Sequence, residues 1–470
     1  MAIEIPQPCY QQWKLHLKRA RSGESKPKIL AKAIRADIEQ GLLQHGLRLP
    51  PQRHLADSLS ISLQTISNAY QELERQGFIR CETGRGSFVS RPISANVEDV
   101  ILDKPQSCGT DFSNVRIIHT HKHERLWRDT CLALSNEHHQ PWIHAFRPIA
   151  GLETHREAAK LWLSRHGVGT ELDDILITNG AAQGLFLALA SLASINDVVL
   201  SEGVTDHGII GISQVLGFTL KGLETDQHGI DPEHFEYMCS NERVTALICT
   251  PNFNNPTTTL MPDSRRREIA KIARHFGVWV IEDDVFGPLV GEHHTPPISH
   301  YLPELSFYCT SMTKSVLTGL RIGYLVMPKK LASRTKSILR VNGLMGTPIM
   351  AEIASRWISD GSADALIQVQ RTLLSERQAV ISEYFSDYIL GQHHYALSAW
   401  IRVPAHWELD SLIRTLRKRN IAITPSDPFT VPGVARPQAV RVCVGAECSL
   451  DEMRASIGIM REVFDLPSFS

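Results

Sequence analysis

Residues 49–89 read LPPQRHLADSLSISLQTISNAYQELERQGFIRCETGRGSFV, and this stretch decides how the N-terminal part of the chain folds. After Leu49-Pro50-Pro51, the run Gln52–Leu59 places Leu55 and Leu59 on one helical face. Ser60-Ile61 is a turn, and Ser62 stands where a helix N-cap belongs. From there Ile66, Ala69, Tyr70 and Leu73 recur at helical spacing to about Gln76, leaving Leu63, Gln64, Ser67, Asn68 and Gln71 outward. Two short helices across a tight turn form a helix-turn-helix, whose second helix can offer its N-terminal side chains to base edges in a major groove. Gly77-Phe78-Ile79 begins an extended run that Gly84-Arg85-Gly86 turns back into Ser87-Phe88-Val89, a hairpin wing with a cationic tip. Upstream, Ile29, Ala33, Ile34, Ile38 and Leu42 predict one further amphipathic helix, punctuated by Gly41 and Gly46.

Charge sets this head apart from the rest. The whole chain is close to neutral, with 49 Lys/Arg against 50 Asp/Glu. Residues 1–92 hold 14 Lys/Arg and 8 Asp/Glu, a net +6, so the remainder carries −7. A basic head on an acidic body suggests a polyanion partner for the head alone. The quoted stretch resembles, without a gap, the winged helix-turn-helix of the GntR family of bacterial transcription regulators. The resemblance implies double-stranded DNA as partner, with Arg53 gripping phosphate, Gln64, Thr65 and Ser67 at the groove, and the wing glycines and Arg85 near the backbone. Many members carry Arg where this chain has Leu63, which removes a cationic contact and shifts base preference.

At 470 residues the chain is long enough for two to four domains, and 43% hydrophobic with 21% charged residues is a globular composition that excludes collagen, coiled coil and disorder. Nine cysteines without a CxxC pair fit reduced thiols in the cytoplasm. The start MAIEIPQP lacks a signal pattern, and no run of 18 apolar residues occurs, so export and membrane spanning are not expected. Residues 93–111 lose periodicity and read as a linker between the head, 1–92, and a body, 112–470. In the body, strand-like runs at Ile175–Thr178, Asp197–Leu200, Ala246–Thr250, Val278–Ile281, Phe307–Cys309 and Ile322–Met327 alternate with helical segments such as Gln183–Ala193 and Arg265–His275. Alternating β and α units predict an α/β fold with a mostly parallel sheet covered on both faces.

The chemistry-bearing residues gather where these strands end. Ile177-Thr178-Asn179-Gly180-Ala181-Ala182-Gln183 passes from strand through small residues into a helix, whose free amides form a phosphate cradle. Val280-Ile281-Glu282-Asp283-Asp284 ends an apolar strand in three carboxylates, and a carboxylate buried there needs a cationic partner, either a protonated pyridine nitrogen or a metal. The paired histidines His138-His139, His293-His294 and His393-His394 lack ligand spacing, so no metal is expected. Lys314 follows a strand in Ser311-Met312-Thr313-Lys314, with Arg321 seven residues on; a lysine can form a Schiff base with an aldehyde, and Ser311 and Arg321 can hold a phosphate.

Together these residues resemble the fold-type-I pyridoxal 5′-phosphate (PLP) enzymes of the aminotransferase family. The resemblance implies that Lys314 forms the Schiff base with PLP, Asp283 pairs the pyridine nitrogen, and Asn255 hydrogen-bonds the phenolic oxygen. It further places the phosphate on Gly180, Ala181, Ala182, Ser311 and Arg321, and a substrate or effector carboxylate on Arg441 as a two-pronged fork. A winged helix joined to such a body resembles the MocR subfamily of GntR regulators, which implies a homodimer. Three departures stand out. Val285 and Phe286 occupy positions where relatives place a tyrosine hydroxyl, Asn-Pro-Thr ends in Thr258 instead of glycine, and the ring-stacking aromatic falls at Asp206 or His207, of which only His207 could stack. The reading is a PLP-containing DNA-binding regulator that senses an amine, an amino acid or PLP, with transamination weak or absent. A working aminotransferase with an accessory head, and a binding module with an empty cofactor site, are the alternatives.

Overall fold

In the N-terminal unit the periodicity of the sequence becomes packing. Helix α1 (Gln7–Lys18) precedes α2 (Lys26–Glu39), and the buried Trp13 indole donates to Asp37 Oδ2 at 2.6 Å, tying the two together. Helices α3 (Gln52–Leu59) and α4 (Leu63–Arg75) follow, joined through Ser60, whose left-handed conformation (φ 55°) ends α3. Leu55 and Leu59 of α3 and Ile66, Ala69, Tyr70 and Leu73 of α4 are all buried, as their spacing requires. Strands β1 (Ile79–Glu82) and β2 (Gly86–Val89) pair antiparallel with Ile79 opposite Val89, completing the wing.

The computed structural model describes residues 7–18, 25–39, 43, 47–75, 78–82, 86–89, 109–138, 140–144, 146, 148–291 and 295–466. It divides into two units, Met1–Asp103 and Lys104–Ser470. Leu42 and most of the expected linker lie outside the described residues. The last two linker residues need correcting: Thr110–Asp111 is a strand, β3, parallel to β15 (Ile421–Ala422), because Thr110 and Phe112 amides find the Asn420 and Ala422 carbonyls.

The C-terminal unit is built on seven strands in the order β4 (Ile175–Thr178), β12 (Gly323–Val326), β11 (Ser306–Ser311), β10 (Trp279–Asp283), β9 (Val244–Cys249), β5 (Val198–Glu202) and β6 (Thr219–Leu223). All neighbours are parallel except at β12, which runs antiparallel to both β4 and β11. The strand period of two sorts residues between the layers. Leu200, Leu247, Cys249 and Val280 cluster with Phe235, Ile269 and Ala273, while the alternate residues Val199, Ala246, Ile248 and Ile281 join Leu185, Ala188 and Leu189 in the main core. A two-stranded ribbon, β7 (Thr225–Asp226) and β8 (Gly229–Ile230), follows β6. A second, antiparallel sheet orders β13 (Ile389–Gly391), β14 (Ser398–Arg402), β17 (Ala439–Cys443) and β16 (Thr424–Pro425). Among the described residues no helix is long and apolar enough to cross a membrane.

Candidate functional site

The stretch expected to cradle a phosphate lies at the end of β4. Gly180 adopts φ +87°, which a side chain would strain, and caps the helix Ala181–Leu192. A Cβ on Gly180 would sit 3.2 Å from Arg321 Nη2, and one on Gly323 would sit 2.9 Å from the Ala181 amide nitrogen. Backbone, helix N-terminus and the Arg321 guanidinium therefore converge on one small space, a combination suited to an anion. Ser311 stands differently from its expected role. Its hydroxyl donates to the Ile322 carbonyl at 2.8 Å and accepts the Thr313 amide at 3.1 Å, so it also fixes the turn that carries Lys314.

The three carboxylates ending β10 separate in function. Glu282, fully buried, accepts the Ile298 and Ser299 amides at 3.1 Å each and lies 4.0 Å from Arg266. Asp284, also fully buried, accepts from Asn252 Nδ2 at 2.6 Å and Tyr308 Oη at 2.5 Å. Asp283 alone keeps a buried oxygen, Oδ1, without a partner. Burial, with Asp206 and Asp284 nearby, pushes its carboxyl well above the usual range. A cation placed against it would reverse that shift. Nearby at the end of β5, buried Glu202 accepts the Thr250 amide at 2.8 Å and is pushed up to about 7 by burial.

Lys314 closes the short helix Met312–Lys314, and its Nζ donates to the Val115 carbonyl at 2.6 Å. Burial lowers its pKa below that of a free lysine, with Asp206 opposing the shift. Arg441, on β17, donates through Nη1 to Asn255 Oδ1 at 2.8 Å and through Nη2 to the Ser113 carbonyl at 2.6 Å, and its guanidinium lies 4.5 Å over the Phe429 ring. Asn255 Nδ2 in turn donates to Asp206 Oδ2 at 2.6 Å. Asp206 is thus the hub that sequence reasoning missed: it is bonded to Asn255 and sits within electrostatic reach of Asp283, Lys314 and Arg441. Burial works against its ionisation, but His207, the Gly208 amide and Asn255 hold its pKa below the ordinary value. His207 meets Phe429 edge-on at 6.1 Å. Nothing local in the sequence announced Phe429 or the Ser113 and Val115 carbonyls, which arrive from distant parts of the chain.

A buried acid with one unpartnered oxygen, a desolvated amine and a helix N-terminus beside an arginine form a donor set that fits PLP: the acid suits a pyridine nitrogen, the amine an aldehyde, and the helix end with Arg321 a phosphate. Val285 and Phe286 are buried and apolar, so neither offers a hydroxyl. The groove of about 750 Å³ between the helix His121–Ser135 and Leu317, Gly319 and Met350 contains none of these residues.

On the head, Arg53 and Gln64 are exposed, and Ser62 caps α4 by accepting the Thr65 amide at 3.2 Å. Thr65 and Ser67 are half-buried, and the Thr65 hydroxyl pairs with Ser62 at 2.8 Å. Arg85 lies outside the described residues. Arg48, which sequence reasoning passed over, bridges to Phe88 and lies against Gly86, adding an exposed cation beside the wing.

Residues 122–458 match the family model for aminotransferase class I and II, and residues 28–89 match that for the gntR family of bacterial regulatory proteins. The uncharacterized HTH-type transcriptional regulator YdeF of Bacillus subtilis is 26% identical over 98% of this chain and 99% of its own length. The HTH-type pyridoxine biosynthesis transcriptional regulator PdxR of Corynebacterium glutamicum is 24% identical over 77% of this chain and 79% of its own. Among solved structures, Pyrococcus horikoshii kynurenine aminotransferase superposes with a TM-score of 0.72 at 18% identity, covering 79% of this chain and 94% of that one. At that identity the likeness shows the fold alone.

Proposed function

In a chain that belongs to the aminotransferase class I and II family and carries a gntR-family head, a PLP-containing DNA-binding regulator of the MocR type, we propose that the body is a sensor rather than a working transaminase. Its effector is an amine, an amino acid or PLP itself, and occupation of the site changes how tightly the head holds its operator. Bound PLP supplies an aldehyde that condenses with amines. The protein's own residues do the rest. Lys314, desolvated, holds its amine in the neutral, nucleophilic form more readily than a surface lysine. Asp283 would hold a proton on a pyridine nitrogen, and Arg321 with the Ala181 and Ala182 amides would neutralise a phosphate. Arg441 faces an effector carboxylate, and Asn255, linking Arg441 to Asp206, orients it.

The observation that carries the reading is the lone unpartnered oxygen of Asp283 within the same electrostatic network as Lys314. The intact set of Lys314, Asn255 and Arg441 supports the second reading, a functional aminotransferase; buried Val285 and Phe286 weigh against efficient turnover. A homodimer in the cytoplasm completes the proposal, since a two-fold protein suits paired half-sites. The test is the visible absorption spectrum of the purified protein before and after borohydride, with a mass map of the reduced lysine. Label on Lys314, with little keto-acid turnover from common amino acids, supports the sensor; ordinary turnover makes the body an enzyme, and no label removes the covalent site.

A further inference from the structure

Leu63 is the first residue of α4 and is 44% exposed. A single exposed leucine is ordinary on a protein surface. Its surroundings are what distinguish this one. The hydroxyls of Ser62 and Thr65 pair with each other at 2.8 Å and serve the helix cap, so they are committed to the helix end. Gln64 Nε2 donates to Asn68 Oδ1 at 2.9 Å, one turn on, which sets the two amides side by side. Their shared bond leaves the Gln64 carbonyl as an acceptor and the Asn68 NH2 as a donor, both on the outward face. The outward positions of the first turns, Leu63, Gln64, Ser67, Asn68 and Gln71, carry no charge.

That face sorts among base pairs by its chemistry. Guanine is read best by Arg or Lys on its O6 and N7 acceptors, and α4 presents neither in these turns. Adenine offers an acceptor at N7 beside a donor at N6, the complement of an amide, and its partner thymine adds a 5-methyl group that packs on apolar side chains. One A·T pair therefore supplies both groups that this face can engage. The phosphate attraction comes from elsewhere on the head, where Arg48 and Arg53 are exposed, so affinity and base choice rest on different residues.

We propose that α4 reads an A·T pair in the operator, with the thymine 5-methyl packed against Leu63 and the adenine edge on the Gln64–Asn68 amide pair. The inference rests on the reading of the head as a DNA-binding module. To test it, the full-length protein selects duplexes from a randomised pool, and each thymine of the selected duplex is then replaced by deoxyuridine, which removes only the methyl group. The wild-type protein should lose about fourfold in affinity at one such position, the factor for one buried methyl-sized group. Leu63→Ala should be insensitive to the same replacement, whereas Leu63→Met, which keeps an apolar tip, should retain the sensitivity. Selected duplexes without a shared A·T position, or equal responses of wild type and Leu63→Ala at every thymine, overturn the proposal. In both cases binding itself persists, so the DNA-binding reading stands. If no duplex is retained at low salt, that reading fails and the proposal with it.

Discussion

Gln64 in the head and Asn255 in the body are both side-chain amides held by a neighbour, yet they work under opposite conditions. Gln64 is exposed, and its bond to Asn68 lies in water, where losing it costs little. Asn255 is 5% exposed and spans Arg441 and Asp206, two charged groups that would each be left with one partner fewer. The side chains proposed to read bases on the head can thus change without disturbing the fold. The candidate site of the body is built from side chains that restrain one another, so a change at one is felt at the others.

The sharpest break between the two regions comes from Lys314→Ala. It should abolish the covalent label entirely while leaving operator binding near wild type, because the head is a separate unit. The same variant sharpens the sensing mechanism: if operator affinity still shifts with PLP or an amine as in wild type, displacement of Lys314 is not the signal. A tenfold shift in affinity corresponds to about 1.4 kcal/mol of differential binding between two conformations.

Next in size is Asp284→Ala, which strands Asn252 and Tyr308 in the core and should destabilise the body by about 3–5 kcal/mol in a urea titration. Gln64→Ala, its counterpart on the head, should stay within about 0.5 kcal/mol. Equal costs would contradict the contrast drawn between the regions.

Glu202 gives the body a pH signature that the exposed face of the head lacks. Its folded pKa is raised to about 7 from 4.5, so the folded state holds its proton more tightly than the unfolded chain. The corresponding stability is fully present below about pH 4.5 and is lost as pH rises through about 7, a contribution of about 3 kcal/mol. Melting temperature measured across that window should fall less steeply in Glu202→Gln than in wild type.

The smallest effects belong to the head. Arg53→Ala should weaken binding to every sequence alike and reduce the salt slope by about one, whereas Gln64→Ala should change base preference, at about 1–3 kcal/mol for the contacted pair. Identical losses on all sequences from both variants would erase the division between phosphate and base contacts.

Much of this was legible because it is local. The spacing of Ile66, Ala69, Tyr70 and Leu73 fixes the buried face of α4, and the apolar run before Glu282-Asp283-Asp284 marks a buried strand end, although the choice of Asp283 among the three carboxylates comes from the family resemblance alone. What escaped reading is long-range. The reversal of β12 depends on which strands it lies between, and a run such as Ile322–Met327 looks the same in either direction. The second sheet joins β14 to β17 across some forty residues, and its strands carry only short apolar runs. The sequence around Asp206 speaks only to whether that position can stack on a ring, whereas its part in the fold, accepting from Asn255, depends on a residue 49 positions away.

The acceptors for Lys314 and for one arm of Arg441 are the main-chain oxygens of Val115 and Ser113. Every amino acid supplies that oxygen, so a library of point replacements at 113 and 115 passes over these contacts unless it reaches proline or alters the path of the chain. Length is a different matter. Deleting or inserting one residue between β3, anchored on β15, and Arg116 would move both oxygens relative to their cations at once. Among natural relatives, this short segment should therefore tolerate changes of letter far better than changes of count.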